Sequence, residues 1–183
     1  GTHAENLMEY ITGLTLKELA ADLSHYVDQR ILDDDGNLLL RFEGGAKGIL
    51  HASQISTGEE NGLNIRIYGD KGRLEWHQQE PNTLLYQKLG EPKQLYRTGH
   101  DYLCEAAKSN TRIPFGHPEG YLEAFANIYR NFAADLSAHL SGTPSTEIAK
   151  DYPGIEDGIR GMAFIEATVK SSQNNAQWTS LPA

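Results

Sequence analysis

Residues 36–86 read as a succession of strands separated by glycine-bearing turns, and this run restricts the possible fold more than any other stretch. Residues 37–43 form the first strand, Gly44-Gly45-Ala46 turns it, and residues 47–55 return. Residues 63–68 turn through Gly69-Asp70-Lys71-Gly72 into residues 73–78, and residues 83–87 add a further short strand. Glycine supplies the positive φ that tight hairpins need.

Side chains alternate between the faces of a strand. One face collects Leu38, Leu40, Phe42, Leu50, Trp76 and Leu84 and calls for a helical layer. The other collects Leu39, Arg41, Ile49, His51, Arg66 and Glu75 and is neither fully apolar nor fully charged. A face of that character is either solvated or buried against a partner.

The remainder is mostly helical. Residues 2–11 predict a helix that ends at Gly13, with His3, Asn6, Leu7 and Tyr10 on nearly one face. Its abrupt start suggests a piece of a longer chain. Residues 14–27 are taken as a strand, and residues 100–109 as a short helix. Pro118 suits a first helical turn and Glu119 its positive end. From there to about Leu140, Tyr121, Phe125, Ile128, Phe132, Leu136 and Leu140 make a stripe at helical period, expected to be core and to cover the apolar sheet face. Residues 153–172 predict the last helix, with Ile155, Ile159, Met162, Ala163, Glu166 and Val169 on its buried side. A final strand at residues 177–181 joins the sheet. The expected fold is α+β, an open mixed and mostly antiparallel β-sheet with helices packed on one face.

The 183 residues suffice for one well-cored domain. A formal charge of −9 with scattered Lys and Arg argues against nucleic acid or a polybasic membrane patch. No apolar run is long enough to span a bilayer, and no signal peptide opens the chain. The single Cys104 excludes an intramolecular disulfide, fits a reducing, cytoplasmic compartment, and sits at helical spacing that favours core packing. Asp33-Asp34-Asp35-Gly36 lacks the spaced ligands of a calcium loop and reads as a solvated turn. Gly154, Gly158 and Gly161 lack the spacing of a nucleotide fingerprint, and no phosphate-binding loop or metal-ligand spacing occurs.

Two segments stand above that background. His3 lies in the first turn of a helix, where an imidazole can take or give a proton near neutral pH, and Asn6 one turn on can hydrogen-bond a hydroxyl of the same ligand. His117 precedes a helix start and is placed to line a cleft; a turn leading into a core helix is the plain alternative.

The chain resembles the C-terminal domain of the glucose–fructose oxidoreductase, inositol dehydrogenase and MocA-type dehydrogenases, the Gfo/Idh/MocA family. The resemblance covers essentially the whole chain. It rests on Gly1-Thr2-His3-Ala4-Glu5-Asn6-Leu7, Gly45-Ala46-Lys47-Gly48-Ile49, Ile65-Arg66-Ile67-Tyr68-Gly69-Asp70-Lys71-Gly72, Gly116-His117-Pro118-Glu119-Gly120-Tyr121 and residues 155–163, in that order and separation. It implies a dihydrodipicolinate reductase-like C-terminal domain over residues 1–183. It also implies a partner N-terminal Rossmann domain outside this chain that binds NAD or NADP, a sugar or polyol substrate oxidised at a CH–OH group, and a homo-oligomer formed through the open sheet face. His3 matches the family's histidine, whose acidic partner four residues earlier would precede Gly1; Asn6 stands where many members carry Asp. The expected roles are His3 as acid/base or orienting residue, and Asn6, Tyr10 and His117 as substrate-binding residues. The fragment alone is expected to bind no cofactor and to be inactive. The competing readings are a non-enzymatic dimerisation module and a small-molecule-binding module derived from the family.

Overall fold

The computed structural model describes residues 1–182. In chain order its elements begin with α1 (Thr2–Thr12), β1 (Leu16–Ser24), β2 (Asp35–Phe42), β3 (Lys47–Ser53), β4 (Asn64–Tyr68), β5 (Gly72–His77), β6 (Thr83–Lys88) and β7 (Gln94–Arg97). They continue with α2 (Glu105–Ser109), α3 (Tyr121–Leu140), α4 (Ile155–Gln173) and β8 (Thr179–Ser180). The fold is α+β, and every strand pairing among the described residues is antiparallel. The strands partition into two four-stranded sheets rather than one, in the orders β3-β2-β1-β8 and β4-β5-β6-β7. Two compact units follow the same division, residues 1–60 with 155–183 and residues 61–154.

In the first unit, β2 and β3 are joined by the predicted glycine turn, with φ of 75° at Gly44 and 92° at Gly45. Alternation sends Leu19, Ala21, Leu38, Leu40 and Leu50 to one face, where they bury together with Leu16, Phe42 and the Phe164 and Ala167 side chains of α4. Burying each large side chain there stabilises by roughly 1.5–3 kcal/mol. Ala4 and Met8 bring α1 onto the same core. A buried serine joins α4 to the sheet: the Ala21 N–H donates to Ser171 Oγ (2.8 Å), and that hydroxyl donates to the Gln177 carbonyl (2.7 Å).

The buried side of α4 is not the predicted one. Phe164, Ala167, Thr168 and Ser171 face inward, while Ile155, Ile159, Met162, Glu166 and Val169 are exposed. The helix carries apolar residues on two faces, and the one with small residues and hydroxyls fits close to the sheet and satisfies its backbone.

In the second unit the sheet alternates as read: Ile65, Trp76 and Leu84 align on one face, Arg66 and Glu75 on the other. The α3 stripe is not core. Its six apolar residues are 39–77% exposed, and the buried residues of α3 are Asn127 and Asn131. Asn127 Nδ2 donates to the Asn110 carbonyl (3.0 Å), and its Oδ1 accepts from the Arg112 guanidinium. Asn131 Nδ2 donates to the Asp151 carbonyl (2.9 Å). Loop carbonyls removed from water need donors, so α3 turns its amides inward and its apolar stripe outward.

Three smaller readings also change. The predicted helix over residues 100–109 is confined to α2, and Cys104 caps it in an exposed position. Asp34 is buried rather than solvated, its carboxylate accepting from the Tyr26 and Val27 N–H groups (both 2.9 Å). Glu119 is not in the helix: its carboxylate ties down the preceding loop by accepting from the Arg112 N–H (2.7 Å), and Glu123 instead accepts from the Gly120 N–H (3.0 Å) at the start of α3.

The α1–α4 contact is clamped by Arg160. Its Nε and Nη2 donate to the two Glu9 carboxylate oxygens (2.8 and 2.9 Å), and Nη2 also donates to the Leu16 carbonyl (2.5 Å). Both side chains are largely shielded from water, so deleting one leaves the other charge uncompensated. Arg160→Ala is expected to destabilise the first unit by about 2–3 kcal/mol, read as a lower urea midpoint with an unchanged m-value.

Candidate functional site

The first unit presents α1 as a two-sided element. Ala4, Glu5 and Met8 face the core, whereas His3, Asn6 and Tyr10 are exposed. Spacings of three and seven residues place these three side chains on one face of the helix. The helix starts over the core: a Cβ at Gly1 would stand 3.8 Å from Phe164 Cε1 and 3.9 Å from Ala52 Cβ. It ends at Gly13, in the left-handed conformation (φ 64°), whose N–H donates to the Glu9 carbonyl (2.8 Å). His3 therefore stands at the outer edge of a helix that is anchored at both ends.

Behind that face lies a carboxyl that the sequence reading passed over. Glu5 is 2% exposed. Burial pushes its pKa up to about 7; the Glu9 carboxylate adds to the shift, the Arg160 guanidinium opposes it, and Asp157 adds to it. The signal was present in the sequence as an acidic residue between Ala4 and Met8 on the helix side opposite His3.

His117 is in the second unit and lines a cavity of about 460 Å³ together with Glu80, Asn82, Arg97 and Glu119. Its Nδ1 lies 3.2 Å from the Pro114 carbonyl. A carbonyl only accepts, so Nδ1 is the donor in that contact. Arg97 projects from β7 and donates to Thr83 Oγ1; Asn82 Oδ1 accepts from Thr98 Oγ1 (2.9 Å). The strand pattern around Arg97 carries no mark of a cavity, and sequence reasoning did not single it out. His3, Asn6 and Tyr10 thus share one unit and His117 belongs to the other.

The second sheet has an ionic cluster on its other face. Glu75 accepts from His77 (3.0 Å) and Arg73 (2.8 Å), with Arg66 at 3.8 Å. The His77 hydrogen bond lowers the Glu75 pKa; desolvation opposes that shift, and the nearby arginines reinforce it. Both hydrogen-bond donors lie on the carboxylate's own strand, β5, and Arg66 alone reaches it from β4.

The residue pattern of the "Oxidoreductase family, C-terminal alpha/beta domain" matches residues 1–181. The chain belongs to the Gfo/Idh/MocA oxidoreductase family. It is 36% identical over 168 residues to an uncharacterized oxidoreductase, YfiI, of Bacillus subtilis (strain 168), covering 90% of this chain and 42% of that protein. It is also similar to an oxidoreductase from Sinorhizobium meliloti, with 48% identity, a TM-score of 0.92, and coverage of 97% of this chain and 50% of that one. An inositol dehydrogenase homolog from Azotobacter vinelandii, crystallised with NADH and myo-inositol, is 32% identical with a TM-score of 0.89 over 98% of this chain and 48% of that one. The chain therefore spans about half the length of these Gfo/Idh/MocA relatives.

The strand pairings among the described residues are antiparallel, and Gly158 and Gly161 lie within α4 rather than in a strand-to-helix turn. Among the described residues, no three His, Cys, Asp or Glu side chains gather closely enough to hold a metal ion. No helix among them is long and apolar enough to cross a membrane.

The raised Glu5 pKa makes folding pH-dependent. The native carboxyl holds a proton that the unfolded one has released between its ordinary value near 4.5 and about 7. The stability it confers is complete below 4.5 and is lost as pH rises through 7. The expected fall is about 2–3 kcal/mol. Urea titrations at several pH values should show that slope in the parent chain and its loss in Glu5→Gln, which is expected to be the more stable of the two at pH 8.

Proposed function

We propose that this chain is the substrate-binding and oligomerisation domain of an NAD(P)-dependent dehydrogenase that oxidises a CH–OH group of a sugar or polyol. The observation that carries this reading is the relative crystallised with NADH and myo-inositol, whose likeness spans 98% of this chain. The nicotinamide belongs to the half of the enzyme outside this chain. These residues hold the substrate hydroxyl and accept its proton.

His3 is the acid/base. An imidazole nitrogen takes the hydroxyl proton during oxidation and returns it during reduction, a role its exposed position on a clamped helix permits. Asn6, one turn further along, has a carboxamide that can both donate to and accept from a neighbouring hydroxyl. Tyr10 supplies a phenol on the same face, and His117, in the second unit, is a separate candidate for substrate binding.

The bare face of the first sheet binds a second copy. Its register aligns Ala20, Leu39 and Ile49 in a central apolar row, with Leu39 51% and Ile49 81% exposed. On one side of that row run Glu18, Arg41 and Lys47; on the other run Asp22, Asn37 and His51, with Asp35 beyond. A two-fold axis along the apolar row sets the basic end of one copy over the acidic end of the other, the self-complementarity an isologous interface requires.

In the full-length enzyme, His3→Ala is expected to lower turnover by roughly 10²-fold or more, the usual contribution of acid–base catalysis. Unchanged steady-state turnover on sugars and polyols would remove His3 from that role. Ile49→Glu places a charge in the apolar row and is expected to shift the protein towards monomer in sedimentation velocity. An unaltered sedimentation coefficient in a self-associating parent would place the interface elsewhere.

A further inference from the structure

We infer that the loop between β1 and β2, residues 25–34, is the wedge on which the half of the parent enzyme preceding Gly1 docks, with Ile31 and Leu32 seated in an apolar recess of that half. The existence of that half rests on the dehydrogenase reading above; the loop and its residues rest on the structure of the first unit.

The tip of the loop is apolar and uncovered. Ile31 is 96% exposed, Leu32 75%, and Tyr26 at the start of the loop 65%. A single exposed apolar side chain is ordinary on a protein surface. Here two adjacent ones stand at the tip of a loop that is tied at its base. The Asp34 carboxylate is buried and accepts from the Tyr26 and Val27 N–H groups (both 2.9 Å). The Asp34 N–H donates to the Ser24 carbonyl (3.0 Å), and the Gln54 N–H donates to the Asp34 carbonyl (2.8 Å). Inside the loop the Arg30 N–H donates to the Val27 carbonyl (3.3 Å), and Gln29 takes the left-handed conformation, φ 70°. A tip held this way pays little ordering cost on contact with a partner.

The place of the loop in the unit selects the occupant. Ser24 pairs with Asp35, Asp35 with Ser53 and Gly36 with Ala52, so the loop leaves the sheet at the end where Ala52 lies. Gly1 stands at that same end, since a Cβ on it would be 3.9 Å from Ala52 Cβ. The first turn of α1, with His3, is there too. The matching family domain is the C-terminal one, and the relatives are about twice as long as this chain. Their other half therefore enters the first unit beside the loop. A second copy on the bare sheet face would meet the sheet broadside, not at this end. Asp28 and Asp33 flank the tip and are exposed, so the complementary recess is apolar with a basic rim. Seating the tip there holds the nucleotide-carrying half over the end of α1 that carries His3.

The test is photo-cross-linking in the full-length enzyme with Leu32→p-benzoylphenylalanine, read by gel mobility and peptide mass spectrometry. The expected product has the mass of one subunit and joins position 32 to a peptide ahead of Gly1. A product of two subunits would overturn the inference in favour of an inter-subunit contact. Links confined to residues 1–183, or no link, would overturn it outright. As a second measurement, Ile31→Asp combined with Leu32→Asp should speed protease cleavage of the connection ahead of Gly1 by roughly tenfold, the effect of losing an interface anchor. The sedimentation coefficient should stay unchanged. An unaltered cleavage rate would count against the wedge. The dehydrogenase reading fails separately: a parent enzyme that binds no NADH and oxidises no sugar or polyol refutes it, while the cross-link still decides where the loop sits.

Discussion

Arg160 reaches from α4 into the Glu9 carboxylate of α1 and the Leu16 carbonyl at the head of β1, and this contact fixes what α1 can present. Glu9 also accepts from the Leu16 N–H (2.5 Å), so one ion pair joins two helices and a strand. The clamp settles the rotation of α1 about its axis. With Ala4 and Met8 turned to the core, His3, Asn6 and Tyr10 must face outward. The buried Glu5 carboxyl sits beside the same clamp, and its pKa, raised to about 7, favours the neutral form below that pH. Positioning of the proposed acid/base and stability of the first unit therefore depend on the same group of charges.

Apolar surface is the second theme. The outer row of the first sheet, the α3 stripe and the outer face of α4 all expose large apolar side chains. Contiguous surface of this kind marks interaction sites in soluble proteins. The relatives are about twice as long as this chain, so a further domain and further copies are the natural partners for these faces in the proposed enzyme. Each stripe has the helical or strand period of a core face, yet its large side chains are exposed.

That distinction explains what the sequence disclosed and what it withheld. Glycine turns and period-two alternation located β2 to β6 to within two residues at each end, because φ > 0 and sheet pleat are local requirements, whereas β1 is shorter than the strand read over residues 14–27. Family motifs led to the family, and the profile match over residues 1–181 bears that out. Helix faces were misread for a nonlocal reason. Tyr121, Phe125 and Phe132 look identical in sequence whether a sheet of the same chain or another body covers them, and the inward turn of Asn127 and Asn131 depends on carbonyls 17 to 20 residues away. Arg97 and Asn82 escaped notice because a cavity is assembled from separate loops and leaves no period. Glu5 was visible as a polar residue on a buried face, a conflict that could have been pursued.

In the proposed enzyme the outer face of the clamped helix α1 turns the His3 imidazole towards a substrate hydroxyl. A crystal structure of the full-length enzyme with NADH and a bound polyol measures this directly. The account predicts a His3 ring nitrogen within hydrogen-bonding distance, roughly 2.6–3.2 Å, of the hydroxyl on the carbon facing the nicotinamide. A His3 ring turned away from the substrate, with another side chain holding that hydroxyl, would contradict it.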